Sequence, residues 1–566
     1  MLRNTNILLA PLLAFAFGTA HADRVDNYIK TAMSRQHIPG LSLAVILNGK
    51  VVKCRGYGFA SLELRVPASP NSVYELASLT KSFVSNAILL LKQDGKLRLE
   101  DSLSTYVTDL PDTCKAITIR QCLSHTSGIA DYNDLNDLRQ RLKHDAAPED
   151  ILNGLKTVPL RITPGAKWIY SNTDYILLGM VIRNITGETY DGFLAHRVFG
   201  LLGMTSTRRD STDDVIPNRA TGYTWDGAGG LHNAEFLSYM EMNHGDRGIV
   251  STVKDLAKWD AALSSSFLFS DNTKTEMWSP ITLNDGSQYS HGLGWFIDKV
   301  NGHRHISHAG GSPGTATIYA RYPDDGLSVI VLTNGGAVNQ FALDNGVAQC
   351  YVPALGPQGV VKTSPTILES YTGYGNVWGG TVMTIVKEGD ALVVDDGGQL
   401  TGAFGSVSAT KFTALDCNRG LTFTTDQLGK LLTIALRLDE WETAVQYIGP
   451  LASSVRPKAD PDTARTLRIQ KVLTAFEKGG VSVETADGVA PQARKDFARG
   501  PAPEFAGIRS ISYIAEFDVA EKKIERHGAA VSSVLYYRLK TDRRQRYVLV
   551  YLTSDGLVTD QDVVDR

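Results

Sequence analysis

Cysteine is scarce: five in 566 residues, too few to staple the chain as a disulfide scaffold. Net charge is nearly absent too. With 57 Lys+Arg against 60 Asp+Glu and a formal charge of -3, there is no basic surplus to hold a polyanion, which argues against a nucleic-acid-binding body. Long apolar runs are missing beyond the N-terminus, so no later segment is a membrane-span candidate. No fixed-period repeat occurs, which sets a solenoid aside. Apolar residues, by contrast, make up 43% of the chain, enough for a real core and against wholesale disorder. At roughly 150 residues per domain the length implies three or four domains, or one large domain with appendages.

The N-terminus is the exception to the shortage of apolar runs. Arg3 gives a positive start, residues 7–17 (ILLAPLLAFAF) are apolar but too short to span a bilayer, and Ala20-His21-Ala22 forms an A-x-A site. Residues 1–22 therefore read as a secretory signal peptide cleaved between Ala22 and Asp23, and the mature protein is expected to be exported, to the periplasm or outside the cell. Export permits disulfides. Cys114 and Cys122 are close enough in sequence to bridge, while TIRQCLSH around Cys122 equally suits a buried thiol.

Two stretches read as linkers. Residues 353–365 (PALGPQGVVKTSP) carry three prolines and two glycines, and residues 453–462 (SSVRPKADPD) are polar and proline-marked. They divide the chain into blocks 23–352, 366–452 and 462–566. In the first, a helix over 24–35 precedes strands at 41–47 and 51–59, a buried helix runs over 78–93, and strands recur at 294–297, 303–307, 315–322 and 327–333. Strands at both ends with helices between predict one antiparallel sheet completed by the two ends of the block, an α+β design. The second block repeats hairpins without helices, as a small β-barrel or sandwich would. The third opens with a helix over 462–478, striped by Ile469, Val472, Leu473 and Phe476, and continues in strands, which suits a helix packed on a curved sheet.

Chemistry concentrates in the first block. Ser78-Leu79-Thr80-Lys81 is an S-x-x-K match that puts hydroxyl and amine on one helical face. A serine is a weak nucleophile until a base takes its proton, and a lysine held as the free amine can do so. The pattern also occurs at Ser251-Thr252-Val253-Lys254 and Ser408-Ala409-Thr410-Lys411, but only the Ser78 copy leads into a strongly apolar helix. At 251–254, Thr252 followed by Asp255 reads as a helix cap. Tyr170-Ser171-Asn172 supplies a phenol for proton transfer and an amide to hold substrate or lysine, although Tyr374-Gly375-Asn376 fits the same pattern as a plain turn.

His308-Ala309-Gly310, followed by Gly311, sits where a sheet edge presents backbone N–H groups, and His308 is expected to donate to a substrate carbonyl or carboxylate. Two rival readings exist. His303, His305 and His308 form H-x-H-x-x-H, a possible metal cluster that lacks a carboxylate signature. Gly310-Gly311-Ser312-Pro313-Gly314 spells a nucleophile elbow, but the residue after that serine must offer an N–H and Pro313 has none. No cofactor or metal is expected.

With these motifs in this order, residues 24–350 resemble the serine β-lactamase and penicillin-binding-protein superfamily, in its branch of class C β-lactamases, D-aminopeptidases and related esterases. Leu123-Ser124-His125-Thr126-Ser127-Gly128-Ile129, Pro164-Gly165, Leu178-Gly179, Gly203-Met204-Thr205 and Gly248-Ile249-Val250-Ser251-Thr252 add to the likeness. The resemblance implies an antiparallel sheet flanked by helices with an all-helical subdomain. It also implies Ser78 as acylated nucleophile, Lys81 as its base or base partner, and Tyr170 as general base and later acid. Asn172 would orient substrate, and the N–H groups of Ser78 and Gly311 would form the oxyanion hole. Class C β-lactamases carry Lys-Thr-Gly where this chain has His308-Ala309-Gly310. The histidine form is commoner among peptidases and esterases, which points to esters or to peptides with small or D-amino acids. The alternatives are a penicillin-binding or sensor protein that is acylated with little turnover, or a β-lactamase. The second block resembles lipocalin-like barrels and the third a cystatin-like roll, and the oligomeric state is left open.

Overall fold

The computed structural model describes residues 24–134, 148–211, 213–225, 230–234, 245–336, 338–377, 381–395, 401–416, 419–425, 431–438, 441–449, 458–478, 481–494, 505, 507–522, 524–542 and 545–563. The signal-peptide reading of residues 1–22 lies outside them. Contacts divide the chain into two compact units, one ending at Gly356 and the other comprising 226–230 and everything from Pro357 onward. The boundary falls inside the proline-marked stretch 353–365.

The first unit is built on a seven-stranded antiparallel sheet. Its strands are β1 (Gly40–Leu47), β2 (Lys50–Ser61), β3 (Val66–Pro67), β4 (Phe296–Val300), β5 (His303–Ser312), β6 (Thr315–Tyr322) and β7 (Leu327–Thr333), ordered β4-β5-β6-β7-β1-β2-β3. β1 and β7 join the two ends of the chain segment, with Leu41 opposite Thr333 and Leu47 opposite Leu327. Alternation along β1 explains why both faces are covered. Leu41, Leu43 and Val45 pack with Val25, Ile29 and Leu343 on one side, and Ala44 and Ile46 join the helical layer on the other.

That helical layer contains α1 (Thr80–Gln93), α2 (Asn172–Thr186) and α3 (Val253–Ser264), and α4 (Gln340–Tyr351) lies on the opposite face. α1 is buried nearly all round, from Thr80 to Leu91, because Phe83, Ile88 and their neighbours pack against α2, α3 and the sheet. Cys114 and Cys122 are both buried free thiols, so the bridge that their spacing allows is not made.

The H-x-H-x-x-H residues have separate partners. His303 meets Asp325, and His305 lies between Asp298 (2.6 Å) and Asp344 (3.0 Å), tying β4 and β5 to α4. Burial opposes protonation of His305, but the charge of Asp298 and the hydrogen bonds of Asp298 and Asp344 overrule it and hold the imidazolium well above its ordinary range. This stabilisation is complete below the unfolded value of about 6.5 and is lost as pH rises through the higher folded value. The melting temperature of the wild type is therefore expected to fall from neutral to alkaline pH more steeply than that of His305→Asn. Parallel curves would refute the assignment.

In the second unit, α5 (Pro365–Ser370) leads into β8 (Gly373–Val377), β9 (Thr381–Glu388), β10 (Ala391–Asp395), β11 (Gly402–Ser406), β12 (Lys411–Ala414), β13 (Arg419–Thr425), β14 (Leu431–Leu438) and β15 (Trp441–Gly449). Each strand pairs with the next and β15 closes on β8, giving an eight-stranded barrel. Ile385, Leu392, Phe404, Phe412 and Leu436 fill it, and Tyr371, just after α5, stacks on Phe423 at 4.1 Å. α6 (Thr463–Lys478) buries Ile469, Val472, Leu473 and Phe476, the stripe read from the sequence, against β16 (Ile508–Asp518), β17 (Ser533–Thr541), β18 (Gln545–Leu552) and β19 (Val558–Val563). The two small blocks share one core, because Tyr374 and Ile448 of the barrel pack with Ile514, Tyr536 and Tyr551 of this sheet. Among the described residues no helix is long and apolar enough to cross a membrane.

Candidate active site

The backbone leading into α1 is pinned from two sides. Leu76 donates its N–H to Ile249 (2.8 Å), and its carbonyl accepts from the Thr317 hydroxyl on β6 (2.9 Å). Between these anchors Ala77 is held at φ +48°, a left-handed conformation that strains a residue with a Cβ. Ser78 follows in a single 3₁₀ turn, Ala77–Leu79, and Lys81 lies in the first turn of α1. The i, i+3 spacing then acts as the sequence suggests, with Lys81 Nζ 3.0 Å from Ser78 Oγ.

Lys81 is fully buried. Its other two contacts are the Asn172 side-chain oxygen at 2.8 Å and the Asp246 backbone carbonyl at 2.7 Å. Both are pure acceptors, so two of the amine's positions must carry protons. The third, facing Ser78, is the one that can either hold a proton or accept one. The other S-x-x-K copies serve local structure. Thr252 caps α3 by accepting from the Asp255 N–H, and Ser408 accepts from the Lys411 N–H in a turn of the barrel.

Asn172 opens α2, 91 positions from Lys81 in sequence. Its amide is engaged at both ends, since the nitrogen donates to Asp131 Oδ2 at 2.9 Å. Tyr170 comes to the same place. Lys81 Nζ stands 5.1 Å from its ring centroid, and no hydrogen bond from its hydroxyl to Ser78 or Lys81 is found among the described residues. The ring is backed by His125 at 4.3 Å. Burial first, then the charge-bearing neighbours His291 and Lys81, push His125 well below its ordinary range and keep it neutral.

His125 belongs to a buried polar network. Its Nδ1 receives the Ser171 N–H (3.3 Å) and lies 3.2 Å from Asp174 Oδ2. A backbone N–H can only donate, so Nδ1 carries no proton and Asp174 must be the donor to it. Burial pushes the Asp174 carboxyl well up, which agrees with a protonated acid. Ser127 Oγ donates to its other oxygen. The stretch Leu123–Ile129, singled out by resemblance alone, thereby gains a physical role in seating the segment that bears Tyr170 and Asn172.

On the sheet side, His308 is buried on β5 and its Nδ1 lies 2.7 Å from the Ala309 carbonyl. A carbonyl only accepts, so Nδ1 holds the proton and Nε2 presents a lone pair. Burial first and the Lys81 charge second push this imidazole down to about 3, so it stays neutral. The expectation that His308 donates to a substrate carbonyl or carboxylate is not met in this state: the Nδ1 proton goes to Ala309, and Nε2 is buried with no partner among the described residues. Gly310 must lack a side chain, because a Cβ there would stand 2.1 Å from the Leu76 carbonyl oxygen. Gly311, one residue on, is exposed, and a Cβ there would meet nothing within 4 Å. Ser312 donates to Glu75 Oε2 at 2.8 Å, which accounts for the rejected elbow serine. Beyond it a cavity of about 380 Å³ is lined by Glu75, Arg219, Asn233, Gly314 and Thr315.

Sequence reasoning missed Asp131, Tyr132, Asp174 and the carbonyl of Asp246. The only signal in the sequence was the position of the first two, directly after the Ser124–Ile129 motif.

A serine hydroxyl against a buried lysine, at the seam of an antiparallel sheet and a helical layer, is the arrangement of a serine hydrolase. The chain belongs to the Beta-lactamase family, whose profile matches residues 25–349, within the serine β-lactamase and penicillin-binding-protein superfamily. It is similar to Penicillin-binding protein 4* of Bacillus subtilis (strain 168), with 30% identity over 386 residues, 64% of this chain and 85% of that protein. In fold it is similar to the octameric penicillin-binding protein homologue from Pyrococcus abyssi (TM-score 0.54, 22% identity, 75% of this chain and 99% of that one). It is also similar in fold to the D-amino acid amidase from Ochrobactrum anthropi SV3 complexed with L-phenylalanine amide (TM-score 0.51, 24% identity, 60% of this chain and 97% of that one).

Proposed function

We propose that this protein is an exported serine hydrolase that works through an acyl-enzyme at Ser78 on an ester, or on an amide or peptide built from small or D-amino acids. The observation that carries the reading is the Lys81–Ser78 contact of 3.0 Å, with the lysine's other two positions committed to acceptors. Ser78 Oγ gives its proton to Lys81 Nζ and forms a bond to the substrate carbonyl carbon. The oxyanion is held by the N–H groups of Ser78 and Gly311, and Gly310 gives the room for that close approach. The proton returns to the leaving group by way of Tyr170, whose ring stands over Lys81. Water then attacks the ester carbon, gives its proton back along the same route, and frees Ser78. Export rests on the basic, apolar and A-x-A order of residues 1–22.

The penicillin-binding name of the Bacillus relative keeps a second reading open, a protein acylated with little turnover.

A fluorophosphonate adduct mapped by peptide mass tests the site, and should fall on the peptide bearing Ser78. An adduct on Ser312 would overturn the assignment. Steady turnover of an ester or a D-amino acid amide is the expected result, and a burst without a steady phase on every ester and amide selects the second reading.

A further inference from the structure

The two acceptors that fix Lys81 are themselves held by adjacent residues of one loop. Asp131, 7% exposed, takes both the backbone N–H of Asn172 (2.8 Å) and its side-chain N–H (2.9 Å) on a single oxygen, Oδ2. Its Oδ1 takes the backbone and side-chain N–H groups of Asn133 at 2.9 and 3.0 Å. Tyr132, 2% exposed, donates its hydroxyl to Asp246 Oδ2 at 3.0 Å, and it is the Asp246 carbonyl that accepts from Lys81. The loop is locked to the start of α2 by Thr173, whose hydroxyl donates to the Ala130 carbonyl (2.8 Å) and accepts the Tyr132 N–H (3.0 Å).

An asparagine side chain can turn over about its terminal bond, and the two orientations are opposite in chemistry. With oxygen toward Lys81 it accepts; with nitrogen toward Lys81 it would confront one donor with another. Asp131 decides between them, because a carboxylate only accepts and so demands the nitrogen end. An asparagine or serine at 131 would not be so one-sided.

We propose that Asp131 and Tyr132 form a positioning clamp for the Ser78–Lys81 pair: Asp131 sets the amide of Asn172, Tyr132 sets the Asp246 carbonyl, and together they aim the remaining position of Lys81 at Ser78. This rests on Ser78 and Lys81 being the reacting pair. Asp131 also caps the first turn of α2, so a purely structural role is the competing account, and a double-mutant cycle separates the two.

Fluorophosphonate acylation rates and melting temperatures are to be measured for Asp131→Asn, Asn172→Ala and the double variant. The clamp predicts that Asp131→Asn slows acylation about 30-fold in the wild-type background but less than about 3-fold once Asn172 is already alanine, since Asp131 acts through that amide. Melting temperature should fall in both backgrounds, because the bonds of Asp131 to the backbone N–H groups of residues 172 and 133 are affected in each. Fold reductions that multiply in the double variant overturn the clamp and leave Asp131 a helix cap. Should Asp131→Asn fail to fold, Tyr132→Phe carries the test: the buried Asp246 carboxylate loses a donor, so the melting temperature should fall, and acylation read below the new transition is expected to slow about 10-fold; an unaltered rate refutes the clamp. Labelling that persists in Ser78→Ala would instead bring down the reading of the pair, a result these variants cannot mimic.

Discussion

Ser78→Ala is expected to lower kcat/KM by at least about 1,000-fold on any ester or amide the enzyme turns over, and to abolish covalent labelling by a fluorophosphonate. No other hydroxyl can take its place, because the strained turn at Ala77 and the two anchors of Leu76 aim one residue at Lys81. The loss should be chemical rather than structural. Removing Oγ leaves Lys81 with its bonds to Asn172 and Asp246, so the melting temperature is expected to stay within about 2 °C of wild type. Ser312→Ala is the matched control. Its hydroxyl is spent on Glu75, a carboxyl that burial raises, so losing it should cost about 1 kcal/mol of stability while labelling continues. Activity surviving in Ser78→Ala, or vanishing in Ser312→Ala at unchanged stability, would reverse the assignment.

What could be read from the sequence was what local spacing decides. Ser78 and Lys81 lie one helical turn apart, so their contact follows from the helix alone. The stripe of α6 and the alternation of β1 are local in the same way. The sheet closed by both ends of the first block was legible because strand signals cluster at those ends. What was hidden depends on distant partners. Asp131 lies 41 positions from Asn172, and Lys81 lies 165 from Asp246. Nothing in the residue types marks either pairing, least of all a backbone carbonyl. His308 illustrates the limit most sharply. Its motif was found, yet its proton sits on Nδ1 because of a single carbonyl on the next residue, and the donation expected toward substrate is spent inside the protein. Tyr170 was also found by pattern, and Lys81 Nζ lies 5.1 Å from its ring centroid.

Lys81→Met is expected to slow acylation about 1,000-fold, the upper part of the range for a positioned general base. Methionine keeps roughly the length of the side chain and fills the same buried channel, so the core around α1 should survive. The cost to folding comes from elsewhere. The Asn172 oxygen and the Asp246 carbonyl lose their donor, and each buried unpaired acceptor costs about 1–3 kcal/mol. A fall in melting temperature is therefore part of the expectation, and the rate must be read below the new transition. Slow labelling should still map to Ser78, because the nucleophile and the N–H groups around it are intact. A labelling rate within about 10-fold of wild type would show that another group takes the serine proton, and Tyr170 would be the residue to examine next. The same variant offers a second readout, taken on the folded protein below its transition. Lys81 contributes charge that helps hold His308 near 3, with burial as the larger cause. Removing that charge should raise the His308 titration while leaving it below the ordinary range, a change that imidazole proton resonances would report. If the His308 resonance does not move, the ammonium charge does not reach β5 and the electrostatic link between the lysine and the sheet edge fails.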